Sequence, residues 1–168
     1  MKISNIAAIT FLAIAVMTLN WHCVKPPEFS DVPYLEFRSF SKTTLGQGSI
    51  KQDSTIIVLY FTDGDGNFGN SDTMANIYIK DLRTNEYFNP LKAPMVPTEG
   101  ANNGISGTIS LVFFTTCCIY PASTFLSPCE RSLTNPTNDL GLEIFILDRK
   151  RNKSNLITTP PLTLDCTR

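Results

Sequence analysis

The sequence is almost without histidine and tryptophan. The single histidine, His22, and the single tryptophan, Trp21, stand side by side near the start of the 168-residue chain. If that start is removed on export, the working protein has no imidazole, and mechanisms based on Ser-His, Cys-His or His-metal pairs are excluded. The chain also lacks the Gly-Lys-Ser/Thr element of a phosphate-binding loop.

A glycosidase that uses two carboxylates needs no histidine and is the remaining hydrolase to consider. Carboxylates are present, but no motif pairs them: Glu36, Asp53, Glu86, Glu99 and Glu143. We therefore predict no catalytic residue and a non-enzymatic protein.

The N-terminal segment lacks acidic residues, the first being Glu28. Lys2 precedes an apolar stretch from Ile6 to Leu19, which together match a secretory signal and are too short to span a bilayer comfortably. We predict a signal peptide over residues 1–22. Simple secretion and an uncleaved anchor are the alternatives to lipidation.

Cys23 follows the apolar stretch and is the predicted lipidation site. A Pro-rich stretch poor in buriable side chains comes next, so residues 23–32 are predicted to be a lipid-anchored tether. His22 stands where a lipoprotein signal normally has a small residue. We expect an exported protein held to the outer membrane or cell surface by its lipid. The net charge of −1 argues against a nucleic-acid partner.

Four further cysteines, Cys117, Cys118, Cys129 and Cys166, indicate two disulfides in an exported chain. A bond between the two adjacent cysteines is strained, and neighbouring strand residues point to opposite faces. One of the pair then closes the loop to Cys129 and the other reaches Cys166. The spacing does not choose between these pairings, and we predict Cys118–Cys129 with Cys117–Cys166. Zinc is the competing use, but the spacing is not that of a zinc knuckle.

Helical periodicity is missing throughout, while short apolar runs alternate with turn residues. This pattern predicts an all-β fold, a single immunoglobulin-like β-sandwich of about seven strands over residues 33–168. A small barrel is the alternative. The predicted strands are Tyr34–Phe40, Thr55–Phe61, Ala75–Asp81, Ser106–Thr116, Leu142–Asp148 and Leu156–Leu164, with a weaker one over Glu86–Lys92. Thr55–Phe61 is apolar on both faces and is expected to be central.

Oxygen-bearing side chains alternate with glycines directly after the second predicted strand. Asp63, Asp65 and Asn67 are the expected first ligands of a hard cation, with Asp72 or Asp148 completing the shell. We predict calcium, and a metal-free turn is the equal alternative because Asp-Gly also favours hairpins. The spacing is not that of an EF-hand.

Several segments resemble lipoproteins of unknown function from Bacteroidota-type bacteria. They are Ser39–Lys42, Gln52–Ser54, Phe61–Gly69, Gly104–Gly107, Phe114–Cys118 and Leu164–Cys166. The segment Ile146–Ser154 is similar to the Asp-x-x-Gly-Asn-x-Ser turn of bacterial immunoglobulin-like domains, with Arg151 in the place of the glycine. The resemblance implies a lipid-anchored envelope protein with a sandwich fold, and it implies no reaction.

Two functional hypotheses follow from these expectations. The first is a cell-envelope lipoprotein whose sandwich serves binding or structure, with a protein partner and with the membrane contacted through the lipid. The second is a carbohydrate-binding accessory module at the cell surface, with a glycan partner. A row of two or more exposed rings on one sheet would favour the second hypothesis.

Overall fold

A computed structural model describes residues 28–69, 74–96 and 104–168 of the chain. The predicted signal peptide (1–22), the lipidation site Cys23 and the tether up to residue 27 lie outside the described residues.

The described residues form an all-β structure, as predicted. Ten strands follow one another: β1 (Tyr34–Phe40), β2 (Thr44–Gly46), β3 (Ser54–Asp63), β4 (Ile77–Asp81), β5 (Glu86–Tyr87), β6 (Ile105–Phe114), β7 (Thr137–Leu140), β8 (Leu142–Ile146), β9 (Ile157–Thr158) and β10 (Leu162–Asp165). A 3₁₀ turn at Ala122–Thr124 is the sole helical element in the described ranges. The strand count is thus higher than the predicted seven.

The additional strands are either short or arise because one predicted strand is split in two. β2 and β7 were not predicted, and the predicted strand Leu156–Leu164 is divided into β9 and β10. Pro160 and Pro161 explain the division, because proline donates no hydrogen bond to a strand ladder.

The strands lie in three sheets. One is antiparallel with the order β1-β3-β6, the second is antiparallel with the order β5-β4-β8-β9, and the third has the order β2-β10-β7. In the third sheet β10 runs parallel to β2 and antiparallel to β7. The central place of β3 in its sheet confirms the prediction made from its apolar faces.

A single hydrophobic core joins the three sheets, and this arrangement fits a β-sandwich. β3 alternates buried and less buried side chains along its length, as a strand with one face in the core should. The inward side chains that are fully inaccessible include Leu35, Leu45, Ile57, Leu59, Leu140, Ile144, Ile146 and Leu164. The immunoglobulin-like identity of the sandwich stays a prediction.

Two disulfides lie at the end of the sandwich where β3 begins and β6 ends, which we call the disulfide end. Cys117 bonds to Cys129 and Cys118 bonds to Cys166, with Cα atoms 4.4 Å and 6.0 Å apart respectively. The predicted pairs Cys118–Cys129 and Cys117–Cys166 are therefore wrong. Cys118 is fully buried in the core together with Cys166, whereas Cys117 is partly exposed.

Gln47 connects the segments that meet at the disulfide end. Its Nε2 donates to the carbonyl oxygens of Glu130, Cys166 and Arg168, and its Oε1 accepts from the N–H of Cys118. One buried amide therefore supports both the loop between β6 and β7 and the end of β10.

Two disulfides in so small a domain are typical of an extracellular or periplasmic protein. No helix in the described ranges has the length and hydrophobicity needed to cross a membrane.

The two disulfides should differ in their contribution to stability. Because the Cys118–Cys166 bond closes 48 residues and the Cys117–Cys129 bond closes 12, loop entropy predicts losses of about 4 and about 3 kcal/mol when each pair is changed to alanine. The buried sulfurs of the first pair add a cavity cost. Urea unfolding under oxidising conditions measures both variants. A larger loss for the Cys117/Cys129 variant would contradict this assignment.

Candidate metal centre

The loop after β3 begins with a close approach between two backbones. The N–H of Gly64 donates to the carbonyl of Ser30 at 2.7 Å, and a Cβ at Gly64 would collide with the backbone of Phe29. Gly66 has a φ of 64°, a conformation that costs glycine little. The loop can therefore fold back beside Asp63, the last residue of β3.

A second tight turn follows β8. The carboxylate of Asp148 accepts hydrogen bonds from both the backbone N–H and the side-chain amide of Asn152, each at 2.7 Å. Arg151 has a φ of 69°, in the left-handed region that favours glycine. The turn thus forms with Arg151 at the position where the similar bacterial turn has its glycine. Its effect is to fix the orientation of the Asp148 side chain.

The two loops bring three carboxylates together. One oxygen from each of Asp63, Asp65 and Asp148 lies within 4.8 Å of the others. Asp63 and Asp148 are fully inaccessible to solvent, and Asp65 is half-buried. The neighbourhood predicted for Asp63, Asp65 and Asp148 is therefore present, although 83 residues separate Asp65 from Asp148 in the sequence. We call these three side chains the acidic cluster.

Asp63 is the unusual member of the acidic cluster because neither of its buried carboxylate oxygens has a hydrogen-bond partner among the described residues. Burial raises its pKa to about 6, and the negative charges of Asp65 and Asp148 act in the same direction. The backbone N–H groups of Asn67 and Phe68 lower the pKa and offset a part of this effect. A buried carboxylate without a donor or counter-charge is costly to ionise.

Asp65 is better supported than Asp63. Its Oδ2 accepts from Lys150 Nζ at 2.8 Å and from Asn67 Nδ2 at 2.6 Å, whereas its buried Oδ1 has no partner. Burial raises the pKa of Asp65, but the hydrogen bond and the charge of Lys150 outweigh burial and hold the pKa below its usual value. The free Oδ1 is the atom left to bind a ligand.

Arg149 ties the two loops to each other. Its Nε donates to the carbonyl of Asn67 at 2.6 Å and its guanidinium also reaches the carbonyl of Gly66 at 3.3 Å. The guanidinium of Arg149 therefore interacts with backbone carbonyl oxygens and not with the carboxylates of the acidic cluster. The loop after β3 is therefore held in place, while Asp63 has no cationic partner in the described ranges.

The remaining predicted ligands have other outcomes. The side chain of Asn67 is engaged within the loop, with its Oδ1 accepting from the N–H of Arg149 at 3.2 Å and its Nδ2 bonded to Asp65. It orients Asp65 in this structure and is not a free oxygen ligand. Asp72 lies outside the described residues.

Sequence reasoning missed the contribution of Arg149, Lys150 and Asn152. A basic run at a turn reads as a solvated surface, and nothing local connects it to an acidic loop more than 80 residues away. The one signal in the sequence was that the loop after β3 is acidic and the turn after β8 is basic. Opposite charges allow two segments to attract each other, but they do not show that the segments are in contact.

The chemistry of the acidic cluster is that of a hard-cation site. All of its ligand atoms are oxygens, the four cysteines are in disulfides, and the described residues contain no histidine. Oxygen-only sets of this kind favour calcium, magnesium or manganese over zinc or copper.

Comparison of the chain with family models, with curated proteins and with solved structures finds no match. The similarity to Bacteroidota lipoproteins therefore stays a prediction, and function is argued from the geometry of this chain.

The raised pKa of Asp63 predicts an unusual pH dependence of stability in the metal-free protein. Because Asp63 ionises near pH 4 when unfolded and at about 6 when folded, the folded state binds the proton more tightly in between. Its free energy of unfolding should fall by about 2–3 kcal/mol as the pH rises from 4 to 6. Urea unfolding with EDTA present measures this change. Asp63→Asn should remove it, and parallel curves for the two proteins would contradict it.

Proposed function

We propose that this protein is a non-enzymatic, exported envelope protein whose β-sandwich is completed by a divalent cation, calcium in the first instance. The cation site is the acidic cluster of Asp63, Asp65 and Asp148. We propose further that the domain is held to a membrane through a lipid on Cys23.

The observation that carries the proposal is the Asp63 carboxylate, which is fully buried and has no hydrogen-bond partner for either oxygen within residues 28–69, 74–96 and 104–168. Buried polar groups in folded proteins nearly always have partners, and an orphaned one calls for an unseen water or ion. The free Oδ1 of Asp65 lies beside it and has the same need. A divalent cation would satisfy these atoms at once and would also cancel the repulsion between the carboxylates.

Calcium fits the site better than magnesium because of the irregular ligand set. Calcium accepts six to eight oxygens in flexible geometry, including backbone carbonyls and water, whereas magnesium demands a near-ideal octahedron. The three carboxylates belong to two different loops, and neither loop has the regular spacing of a dedicated calcium motif. A flexible coordination shell, completed by backbone carbonyls or water, suits ligands that come from two separate loops.

Cation binding would act on the packing of the two antiparallel sheets. Asp63 ends β3 in one sheet, and Asp148 follows β8 in the other. A shared ion would therefore connect the sheets at the end of the sandwich opposite the disulfides, which we call the acidic end. The expected consequence is structural: a stiffer domain and not a reaction.

The burial of the acidic cluster supports the non-enzymatic part of the proposal. Asp63 and Asp148 are fully inaccessible to solvent, so neither carboxylate can contact a substrate without a change in structure. A pair of catalytic carboxylates in a glycosidase must flank an accessible bond. Arg149 and Lys150, which border the cluster, are also engaged within the protein.

The path of the chain before β1 supports a membrane-proximal acidic end. Ser30 is bonded to Gly64, in the loop that carries the cluster. Seven residues of extended chain span at most about 25 Å, so a lipid on Cys23 would hold the acidic end close to the membrane surface. The disulfide end would then face away from it.

The described residues offer little support for the glycan hypothesis. Tyr78 stacks on Phe145 at 4.8 Å, Tyr87 meets Phe145 edge-on at 6.2 Å, and Lys153 covers the Phe145 ring at 4.0 Å. Tyr87 alone among these three rings is exposed, at 52%. These three rings cover one another. Two other exposed rings, Tyr34 and Phe114, belong to one sheet but lie at opposite ends of β3, opposite Thr62 and Ser54, so they do not form a row, and we do not advance a carbohydrate-binding module.

Calcium should raise the melting temperature of the protein relative to EDTA. At a calcium concentration about 100 times the Kd, linkage gives about 2.7 kcal/mol, which corresponds to a rise of roughly 5–10 °C for a domain of this size. Differential scanning calorimetry measures the rise, and isothermal titration gives the Kd. Magnesium should produce a smaller rise at the same concentration.

Asp63→Asn is the decisive variant for the cation site. At neutral pH it should melt higher than the natural protein in EDTA, because it removes a buried charge, and it should lose the response to calcium. Asp139→Asn is the matched control, since Asp139 is an exposed carboxylate on β7 and should leave the response unchanged. If calcium does not change the melting temperature of the natural protein, the proposed cation site is wrong.

Acylation of Cys23 is tested by mass spectrometry of the full chain expressed in an exporting bacterial host. We expect a mature protein that begins at Cys23, carries acyl chains and sediments with membranes, because several chains together give firm anchoring. Cys23→Ser should abolish the added mass and the membrane association. A natural protein that begins at Met1, or at any residue other than Cys23, would contradict the anchor.

A further inference from the structure

β6 forms one edge of the sheet β1-β3-β6, and its outer side has no partner among the described residues. The N–H of Thr115 donates to the carbonyl of Asp53, which shows that the odd-numbered residues of β6 bond to β3. The even-numbered residues therefore direct their backbone N–H and C=O groups to the open side: Ser106, Thr108, Ser110, Val112 and Phe114.

The open side of β6 lacks the features that prevent strands from adding to an edge. Charged side chains and prolines normally protect such edges. β6 contains neither, and no charged residue occurs between Glu99 and Glu130. β6 is thus an uncharged strand of ten residues whose outward hydrogen-bonding groups have no strand partner in the described part of the chain.

The opposite edge of the same sheet is protected. β1 carries Glu36 and Arg38, and the side chain of Asn155 bonds to both the N–H and the carbonyl of Leu35, at 2.7 Å and 2.9 Å. The contrast shows that pairing is blocked on one edge and left open on the other.

Apolar side chains adjoin the open edge near its end. Ile56, Val112 and Phe114 are 42%, 52% and 39% exposed on the outer face of the sheet. On the inner side, a groove of about 520 Å³ runs between β6 and the segment that contains Phe88 and Leu91. An added strand would cover part of this apolar surface.

We propose that β6 pairs with β6 of a second copy of this chain, antiparallel across a two-fold axis at Ser110. The five edge-facing residues are symmetric about Ser110, so this register pairs Ser110 with its own copy, Thr108 with Val112 and Ser106 with Phe114. Every edge-facing amide and carbonyl then has a partner, and the two sheets become one continuous sheet.

A second copy fits this edge better than an unrelated strand because the edge is complementary to itself. The strands themselves carry no charge. The nearest charged group, Lys51 Nζ, lies over the Phe114 ring at 4.8 Å, and in this register the two copies of Lys51 stand at opposite ends of the contact and do not repel each other. Each large side chain near one end faces a small hydroxyl of the other copy. Two-fold pairing also closes the edge on both chains at once and leaves no further β6 edge to extend. The pairing is independent of the proposed cation site and goes beyond it.

Cysteine cross-linking in the full exported chain tests the register. Directly opposed residues in a hydrogen-bonded antiparallel pair have Cα atoms about 5.5 Å apart, within the range of a disulfide. Ser110→Cys should therefore give a reducible dimer on a denaturing gel. The Thr108→Cys variant alone should give little cross-linked dimer. Co-expression of a Thr108→Cys chain with a Val112→Cys chain should give the cross-linked dimer, because these two positions face each other across the axis.

Val58→Cys is the collision control, because Val58 lies on the same sheet in the central strand and away from the edge. Dimer from Ser110→Cys that does not exceed the Val58→Cys level would overturn the proposal. Equal cross-linking at all edge positions would overturn it as well, since it would show no defined register. Adducts to another protein in place of dimers would show that the partner is not a second copy.

Sedimentation equilibrium of the chain without added cysteine provides the second measurement. Ser110→Pro removes an edge-facing N–H but no bond to β3, and it should weaken dimerisation by about tenfold or more. Ser110→Lys should do the same through repulsion across the axis, and Ser110→Thr should not. All three variants should keep the calcium response, so a failure here is separable from a failure of the cation site. A natural protein that stays monomeric at about 100 µM would overturn the proposal.

Discussion

Repulsion among Asp63, Asp65 and Asp148 is the constraint around which the acidic end of the sandwich is arranged. Their oxygens lie within 4.8 Å of one another in surroundings with little solvent, where like charges interact strongly. Two tight turns and the bonds of Arg149 hold the loops together against this repulsion. Lys150 forms an ion pair with Asp65, whereas the two carboxylate oxygens of Asp63 have no partner among the described residues. The fold thus keeps a local cost that a bound cation would remove.

The two ends of the sandwich are stabilised by different physics. At the disulfide end, two covalent bonds and the buried amide of Gln47 hold the long loop between β6 and β7. At the acidic end, the loops are held by hydrogen bonds and charge alone. The disulfide end is closed covalently, and it also contains an ion pair in which Lys42 and the N–H of Gly46 hold the pKa of Asp53 at about 2. Two paired ten-residue strands, β3 and β6, run from one end to the other.

The sequence pattern was sufficient where a strand packs one face into the core. Residues 34–40 were predicted to the residue, and the long strands β3 and β6 were found within two residues because β-branched and aromatic side chains recur along them. β2 and β7 were missed because a run such as Thr137–Leu140 has one buried apolar residue and no periodicity of its own. Such strands exist because β10 supplies their hydrogen-bonding partner, which is a property of the tertiary structure.

By itself, the sequence determined the all-β class, the use of cysteines as disulfides, and the oxygen chemistry of the loop after β3. These follow from local alternation, from composition and from the preference of Asp, Asn and Gly for turns. Only the tertiary structure decided that Cys118 and not Cys117 is fully buried in the core. It also decided which predicted ligands meet: Asp148 lies beside Asp63 and Asp65, whereas the side chain of Asn67 is engaged in other bonds. Both outcomes depend on how loops that follow the strands pack against segments distant in the sequence, and local patterns do not carry that information.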